Sequence, residues 1–270
     1  MTTLVSRSSP LVYELPPDLE ASEPPEARGL TRDAVRMLVV RRGDGSLDHS
    51  TFTFLPRFLD PGDLVVVNTS GTIPAAVDAG AEDGTDLVVH ISTHLADDRW
   101  VVEPRRRDGP TTRRWSGPLP SQHLALPGGA RLSFGEPYGK AGRLWVARLG
   151  LGERPLSWLA VHGRPIRYGY VERAWPIGMY QSVYATEPGS AEMPSAGRPF
   201  TPEMITRLMA KGVGVSPLVL HTGVASLEAD EPPYPERVRV PEVTAERVNA
   251  ARRSDHRVIA VGTTVVRALE

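Results

Sequence analysis

The sequence predicts an α/β main domain with an inserted antiparallel β-barrel-like domain, on three observations. The apolar run Leu64 to Val67 has no polar alternation, as expected of a strand covered on both faces. Residues 76 to 149 offer short runs rich in Val, Leu and Trp between Gly, Pro and Asp clusters, the texture of an antiparallel barrel or sandwich. From about residue 150 onward, strand and helix signals alternate. The α/β unit is therefore expected to be discontinuous, 1–75 with 150–270, around an insert of 76–149.

Along the chain, Pro and Glu dominate residues 16 to 28 and predict an extended, Pro-stiffened arm laid over the body. Met37 to Arg41 predicts a strand, and Thr51 to Leu59 a strand running into a short helical turn. Pro61-Gly62-Asp63 is the turn that launches the apolar strand, with Asn68 at its C-terminal end. Within the insert, DLVVHIS, RWVVEPR, ARLSF and RLWVARLGL are the strand candidates. Helices return with Leu156 to Val161, stopped by Gly163. A better-marked helix has Thr201 as N-cap, Pro202 at the first position, Glu203 in the first turn, apolar Ile205, Leu208 and Met209, and Gly212 beyond its end. Val213 to Leu220 predicts a buried strand and Thr244 to Arg253 a capped helix. Arg257 to Val261 predicts a strand that passes through Gly262-Thr263-Thr264 into a helix over Val265 to Glu270.

Composition narrows the chemistry. With 40% hydrophobic and 23% charged residues the chain is an ordinary globular one, and 270 residues suffice for two cores. Cys is absent, which excludes disulfides, thiolate nucleophiles and Cys-ligated metals. No apolar run approaches the roughly 20 residues of a membrane span, and the N-terminus lacks a signal-peptide pattern, so a cytoplasmic protein without a membrane partner is expected. The net charge of -1 gives no overall basic footprint. Locally, Arg105, Arg106, Arg107, Arg113 and Arg114 gather beside Trp115, a patch able to grip RNA phosphates and stack a base, or simply a solvated loop.

Several segments carry candidate chemistry. In VIAVGTTVVRALE, a strand, a Gly-Thr-Thr turn and a helix start place free N–H groups and hydroxyls at a sheet's C-terminal edge, with Arg267 close by as a fork-shaped donor. Gly262 as a tight turn and Thr264 as a cap are the plainer reading. Asn68 to Thr72 and His221-Thr222-Gly223 also follow buried strands, and His221 could act as a base or donor; turn chemistry for the first and a structural role for the His are the alternatives. Tyr180 and Tyr184 flank Gln181 and suit a purine ring or a sulfonium. Pro194 to Phe200 is a constrained loop leading into the Thr201 helix. His90 and His94 have metal-pair spacing but no evident third ligand, so no metal is expected. Ser195 lies in EMPSAG, not in the G-x-S-x-G setting of a hydrolase nucleophile.

In order along the chain, YELPP (Tyr13 to Pro17), PGDLVVVNTSGTIPAA (Pro61 to Ala76), YQSVYA (Tyr180 to Ala185), PSAGRPFT (Pro194 to Thr201), LVLHTG (Leu218 to Gly223) and AVGTTVVRALE (Ala260 to Glu270) resemble the S-adenosylmethionine:tRNA ribosyltransferase-isomerase family of queuosine biosynthesis. The resemblance implies an α/β domain interrupted by a β-barrel, S-adenosyl-L-methionine as co-substrate and tRNA as partner. It also implies transfer of the ribosyl moiety to a 7-aminomethyl-7-deazaguanine base, releasing adenine and methionine. On this basis Tyr180, Gln181, Tyr184, Ser195, Gly197 and Thr201 are assigned to the small-molecule nucleoside. Asn68, Gly262, Thr263, Thr264 and Arg267 are assigned to a polar or anionic group, and His221 and Glu236 to acid–base work. The chain departs from the family pattern at polar positions. N-D-T-R-V-I-P-A-R is here Asn68 to Ala76 without either arginine, A-G-L-H-F-T is Ala196 to Thr201 without its His, and V-G-A-G-T-F gives way to TGVASLE. H-x-M-H-x-E keeps only Glu236, with Tyr234 at the second His, and the family continues past position 270 through T-N-F-H-L-P. A divergent paralogue that binds a nucleoside or RNA without the family's activity is the alternative expectation.

Overall fold

Five consecutive buried residues make β3 (Leu64–Asn68) the spine of the molecule in the computed structural model, which describes residues 14–16, 19–140, 142–224 and 234–270. Tyr13 and Pro17 of the YELPP segment, residues 17 and 18 of the N-terminal arm, and residues 225–228 of TGVASLE lie outside the described residues. Before β3 comes a hairpin of β1 (Arg36–Val40) and β2 (Leu47–Thr51). The strand expected from Thr51 therefore lies earlier, and Phe52–Phe58 is a 3-10 helix. Polar Asp48, His49 and Ser50 conceal that strand, whose pairing with β1 is what holds it extended.

After β3 the chain forms β4 (Ser70–Thr72), β5 (Ala76–Ala81), β6 (Asp86–His94), β7 (Arg99–Asp108), β8 (Thr111–Arg114), β9 (His123–Ala125), β10 (Arg131–Tyr138) and β11 (Leu144–Gly150). Strands β5, β6, β7, β11, β10 and β9 pair antiparallel in that cyclic order, and the β7–β11 pairing closes the ring, with β8 extending from β7. We read this ring as the inserted barrel-like unit. Its core includes Val77, Leu87, Val89, Ile91, Val102, Leu132 and Leu144, joined by Trp158 and Leu159 of α1 (Pro155–His162). At its neck, Ala76 and Arg164 exchange backbone hydrogen bonds, 2.9 Å in each direction.

The remaining elements are β12 (Glu187–Ser190), α2 (Pro202–Ala210), β13 (Gly214–His221), β14 (Arg237–Arg239), α3 (Glu242–Arg253), β15 (Val258–Ala260) and α4 (Thr263–Leu269). β12 lies parallel to β4. The principal sheet has the order β14-β13-β3-β15, with β13 and β15 parallel to β3 and β14 antiparallel. Alternation along β3 divides its side chains between two cores. Val65 and Val67 pack with Met204 and Leu208 of α2, whereas Leu64 and Val66 pack with Leu218, Leu220, Ala251 and Val265. On α2, Met204 takes the inward place expected of Met209, which is 64% exposed; positions 204 and 208 lie four apart, on one face. Helix α3 begins at Glu242, and Thr244 is a buried interior residue whose hydroxyl donates to the Pro217 carbonyl at 2.7 Å.

One buried group makes the fold sensitive to acid. Burial, with the Arg105 and Arg164 charges nearby, pushes the His90 imidazole down to about 3. Below the unfolded imidazole's pKa of about 6.5, the unfolded chain takes up a proton that the folded chain refuses, so stability falls as pH falls. The expected loss reaches about 2 kcal/mol by pH 5. Urea melts at pH 7 and pH 5 check it: His90→Gln should shrink the difference, and an unchanged difference refutes the assignment.

Candidate active site

Parallel β3, β13 and β15 deliver their C-terminal ends, Asn68, His221 and Ala260, to one edge of the sheet, where open α/β sheets bind ligands. α4 begins directly beyond β15. Its N-cap, Gly262, has φ 86°, a left-handed conformation that disfavours other residues, and a Cβ there would lie 3.0 Å from that of Ala196. This turn forms one wall of a cleft of about 190 Å³, lined also by Ser195, Thr222, Glu236, Thr263, Thr264 and Arg267.

A carboxylate–guanidinium pair occupies the cleft. Arg267 donates to Glu236 Oε2 from Nε at 3.0 Å and from Nη2 at 2.6 Å, and its Nη1 reaches Thr263 Oγ1 at 3.5 Å. Both strong bonds fall on one oxygen, leaving Glu236 Oε1 shielded from water and, among the described residues, without a hydrogen-bond partner. An unsatisfied carboxylate oxygen is costly, and a ligand's hydrogen would satisfy it. Ser195, Glu236, Gly262, Thr263, Thr264 and Arg267, chosen from separate parts of the sequence, thus meet.

Other proposed site residues are occupied elsewhere. Asn68 accepts from Ser70 N and Leu220 N and donates to the Leu220 carbonyl, stapling β3 to β13. Gln181 clamps the Thr72 backbone from both sides, at 2.9 and 2.7 Å. Thr201 Oγ1 accepts from Met204 N at 3.0 Å as the N-cap of α2. Tyr184 packs edge-on against Phe200, with ring centroids 5.7 Å apart, and burial drives its phenol far above the ordinary range. Gly197 makes room for that ring, since a Cβ there would fall 2.2 Å from the Tyr184 hydroxyl.

His221 faces a different cleft, of about 290 Å³, with Ile73, Trp100, Pro188 and Arg237. Its Nδ1 lies 2.7 Å from Ser70 Oγ, which lies 2.6 Å from Ser190 Oγ; Ser190 in turn accepts from Thr222 N. On the other side, Nε2 is 3.5 Å from Glu187. Burial lowers the His221 pKa, and the Glu187 charge opposes but does not cancel that effect. The two acid–base candidates therefore sit in separate clefts; the run from His221 through the Ser70 and Ser190 hydroxyls ends at Thr222 N, and Thr222 lines the Glu236 cleft.

Tyr180 belongs to an aromatic chamber of about 220 Å³ that the sequence reading missed. Its walls include Tyr168, Tyr170, Trp175, Met179 and Met193, with residues 21–25 of the N-terminal arm across it. Arg198 secures that arm by donating to Glu26 at 2.9 Å and to the Met179 carbonyl at 2.7 Å. The available signal was aromatic density: Tyr168, Tyr170, Trp175 and Tyr180 fall within one short segment. Met193 also lines the Glu236 cleft, so the two spaces adjoin.

In the basic patch, Arg105 donates to Glu103 at 2.8 Å and to Thr112, Arg107 pairs with Asp78 at 2.7 Å, and Arg106 lies over the Trp115 ring at 4.3 Å. Arg113 is exposed and stands opposite Arg106 in the β7–β8 pairing; Arg114 stands opposite Arg105. Among the described residues, no group of three or more His, Cys, Asp or Glu is placed to hold a metal, and no helix is long and apolar enough to cross a membrane.

Comparison with known proteins gives the chain its relatives. The S-adenosylmethionine:tRNA ribosyltransferase-isomerase of Moorella thermoacetica is 36% identical over 280 residues, spanning 96% of this chain and 75% of that protein. The enzyme of the same name from Thermotoga maritima is 32% identical, over 96% of this chain and 74% of its own length. A crystal structure of S-adenosylmethionine tRNA ribosyltransferase from Thermotoga maritima aligns with a TM-score of 0.43 at 25% identity, covering 96% of this chain and 70% of that one. Residues 8–270 match the family described as queuosine biosynthesis protein, and the chain belongs to that family.

Proposed function

We propose that this protein is the S-adenosylmethionine-dependent ribosyltransferase-isomerase of its family, moving the ribosyl moiety of S-adenosyl-L-methionine to a 7-aminomethyl-7-deazaguanine base in tRNA. The observation that carries this reading is the convergence of Glu236, Arg267, Ser195 and the Gly262-Thr263-Thr264 turn on one cleft in a chain of this family. A sulfonium acidifies the neighbouring C5' hydrogens and makes methionine a good leaving group. The protein's tasks are then to take a proton and to hold adenine and carboxylate in place.

Glu236 Oε1 is the acceptor suited to the proton, and Arg267 keeps the carboxylate oriented. The adjoining aromatic chamber suits the adenine ring. A cytoplasmic location goes with this reading. The alternative of a paralogue that binds without reacting is not favoured by relatives named for the enzyme. Purified protein given S-adenosyl-L-methionine and tRNA carrying the aminomethyl base is expected to release adenine, and to release none when tRNA is omitted. No adenine with both substrates present would sink the proposal.

A further inference from the structure

We propose that a separate cleft, between the β7–β8 hairpin and residues 164–180, holds a backbone phosphodiester of the RNA on Arg167 and Trp175. This rests on the reading of tRNA as the acceptor. The cleft, of about 250 Å³, is lined by Arg107, Arg164, Arg167, Trp175 and Tyr180 among others, and no Asp or Glu is among its described lining residues. Arg107 and Arg164 both engage the one Asp78 carboxylate, at 2.7 and 2.5 Å, so two positive charges share one negative. Arg167 adds a third guanidinium.

Among the described residues, three donors in this cleft have no acceptor. Arg167 Nε and Nη2 and Trp175 Nε1 are shut off from water without a hydrogen-bond partner. A guanidinium has donors and no acceptor, so only an incoming acceptor can satisfy Arg167. A site made only of donors, with excess positive charge, is the complement of an anion that brings only acceptor oxygens.

The surroundings favour a phosphodiester over a small molecule's carboxylate. The cleft abuts the hairpin on which Arg106 and Arg113 stand opposite each other, both exposed. Arg106 and Arg113 lie one position from Arg107 and Thr112 of the cleft, on the other face of the hairpin, so a polyanionic strand passing over the hairpin's edge meets both, whereas a lone carboxylate meets only the cleft. Trp175 and Tyr180 also line the aromatic chamber, which adjoins the Glu236 cleft through Met193. A strand held by its phosphate at Arg167 therefore lies next to the space where the reaction is proposed.

The test uses a fluorescein-labelled tRNA transcript in anisotropy titrations across a salt series, with S-adenosyl-L-methionine binding measured separately by calorimetry. Arg167→Gln should raise the Kd for tRNA about tenfold and reduce the slope of log affinity against log salt by about 0.7–0.9, with co-substrate affinity unchanged. Arg167→Lys should recover part of the affinity and all of the slope. Trp175→Phe, which removes one N–H and keeps a ring, should weaken binding without altering the slope, and it serves if the Arg167 variants fail to fold. Loss of co-substrate affinity with tRNA binding intact overturns the proposal and assigns the cleft to a carboxylate. Wild-type binding to tRNA with every variant unchanged overturns it and leaves the proposed function standing. No tRNA binding by the wild type overturns both.

Discussion

Glu236→Gln is expected to slow adenine release at saturating substrates by about 100- to 10,000-fold, the range for losing a positioned general base. The substitution keeps the shape of the side chain and an oxygen to accept from Arg267, so the cleft should remain formed. What it removes is the negative charge and the carboxylate Oε1, which has no partner among the described residues while Oε2 takes both Arg267 bonds. An amide cannot take the proton. The rate loss should come with co-substrate binding still measurable by calorimetry, which separates chemistry from affinity. A loss smaller than about tenfold would remove Glu236 from the reaction and leave it as the anchor of Arg267.

Asp63→Ala should destabilise the fold by about 3 kcal/mol, the scale for removing a buried acceptor and stranding its two backbone donors. Asp63 is 2% exposed and stands at the start of β3. Its carboxylate accepts from Asp60 N at 2.8 Å, from Arg257 N at 3.1 Å and from the Arg257 guanidinium, which ties the start of β15 to the start of β3. Burial alone would raise the Asp63 pKa, but these bonds outweigh it and hold the carboxyl below its ordinary range. A carboxyl that titrates lower in the folded state contributes its stability above the unfolded pKa of about 3.9, and the contribution is lost as pH falls toward the folded value. Denaturant melts at pH 7 test the prediction, and a change within 1 kcal/mol would refute it. Arg257→Ala should cost less, because that side chain is half exposed and Asp63 keeps its two backbone donors.

These two sites also mark what could be read from sequence. β3 was legible because an unalternating apolar run has few other uses, and α2 because Thr201, Pro202 and Glu203 give a start signal in consecutive positions. The Gly262-Thr263-Thr264 turn was legible as chemistry and Glu236 through the family resemblance, and the two share a cleft. Occupancy was not legible. Asn68 and Gln181 look like ligand-binding amides, but their partners, Leu220 and Thr72, lie 152 and 109 residues away in sequence. The same holds for the arginines. Their charge is visible in the letters, but the Glu103 and Asp78 carboxylates that engage Arg105 and Arg107 are fixed only by strand pairing.

The neck at Ala76 and Arg164 bears on how such a molecule can change over evolutionary time. Everything from β5 through α1 leaves and returns through two residues already bonded to each other, so the path between them could be shortened to a tight loop with little entropic penalty. We read the ring as a cassette on the α/β scaffold. Lineages can lengthen, trim or recharge the β7–β8 hairpin to suit a different nucleic acid while Glu236 and Arg267, both outside the cassette, keep their places.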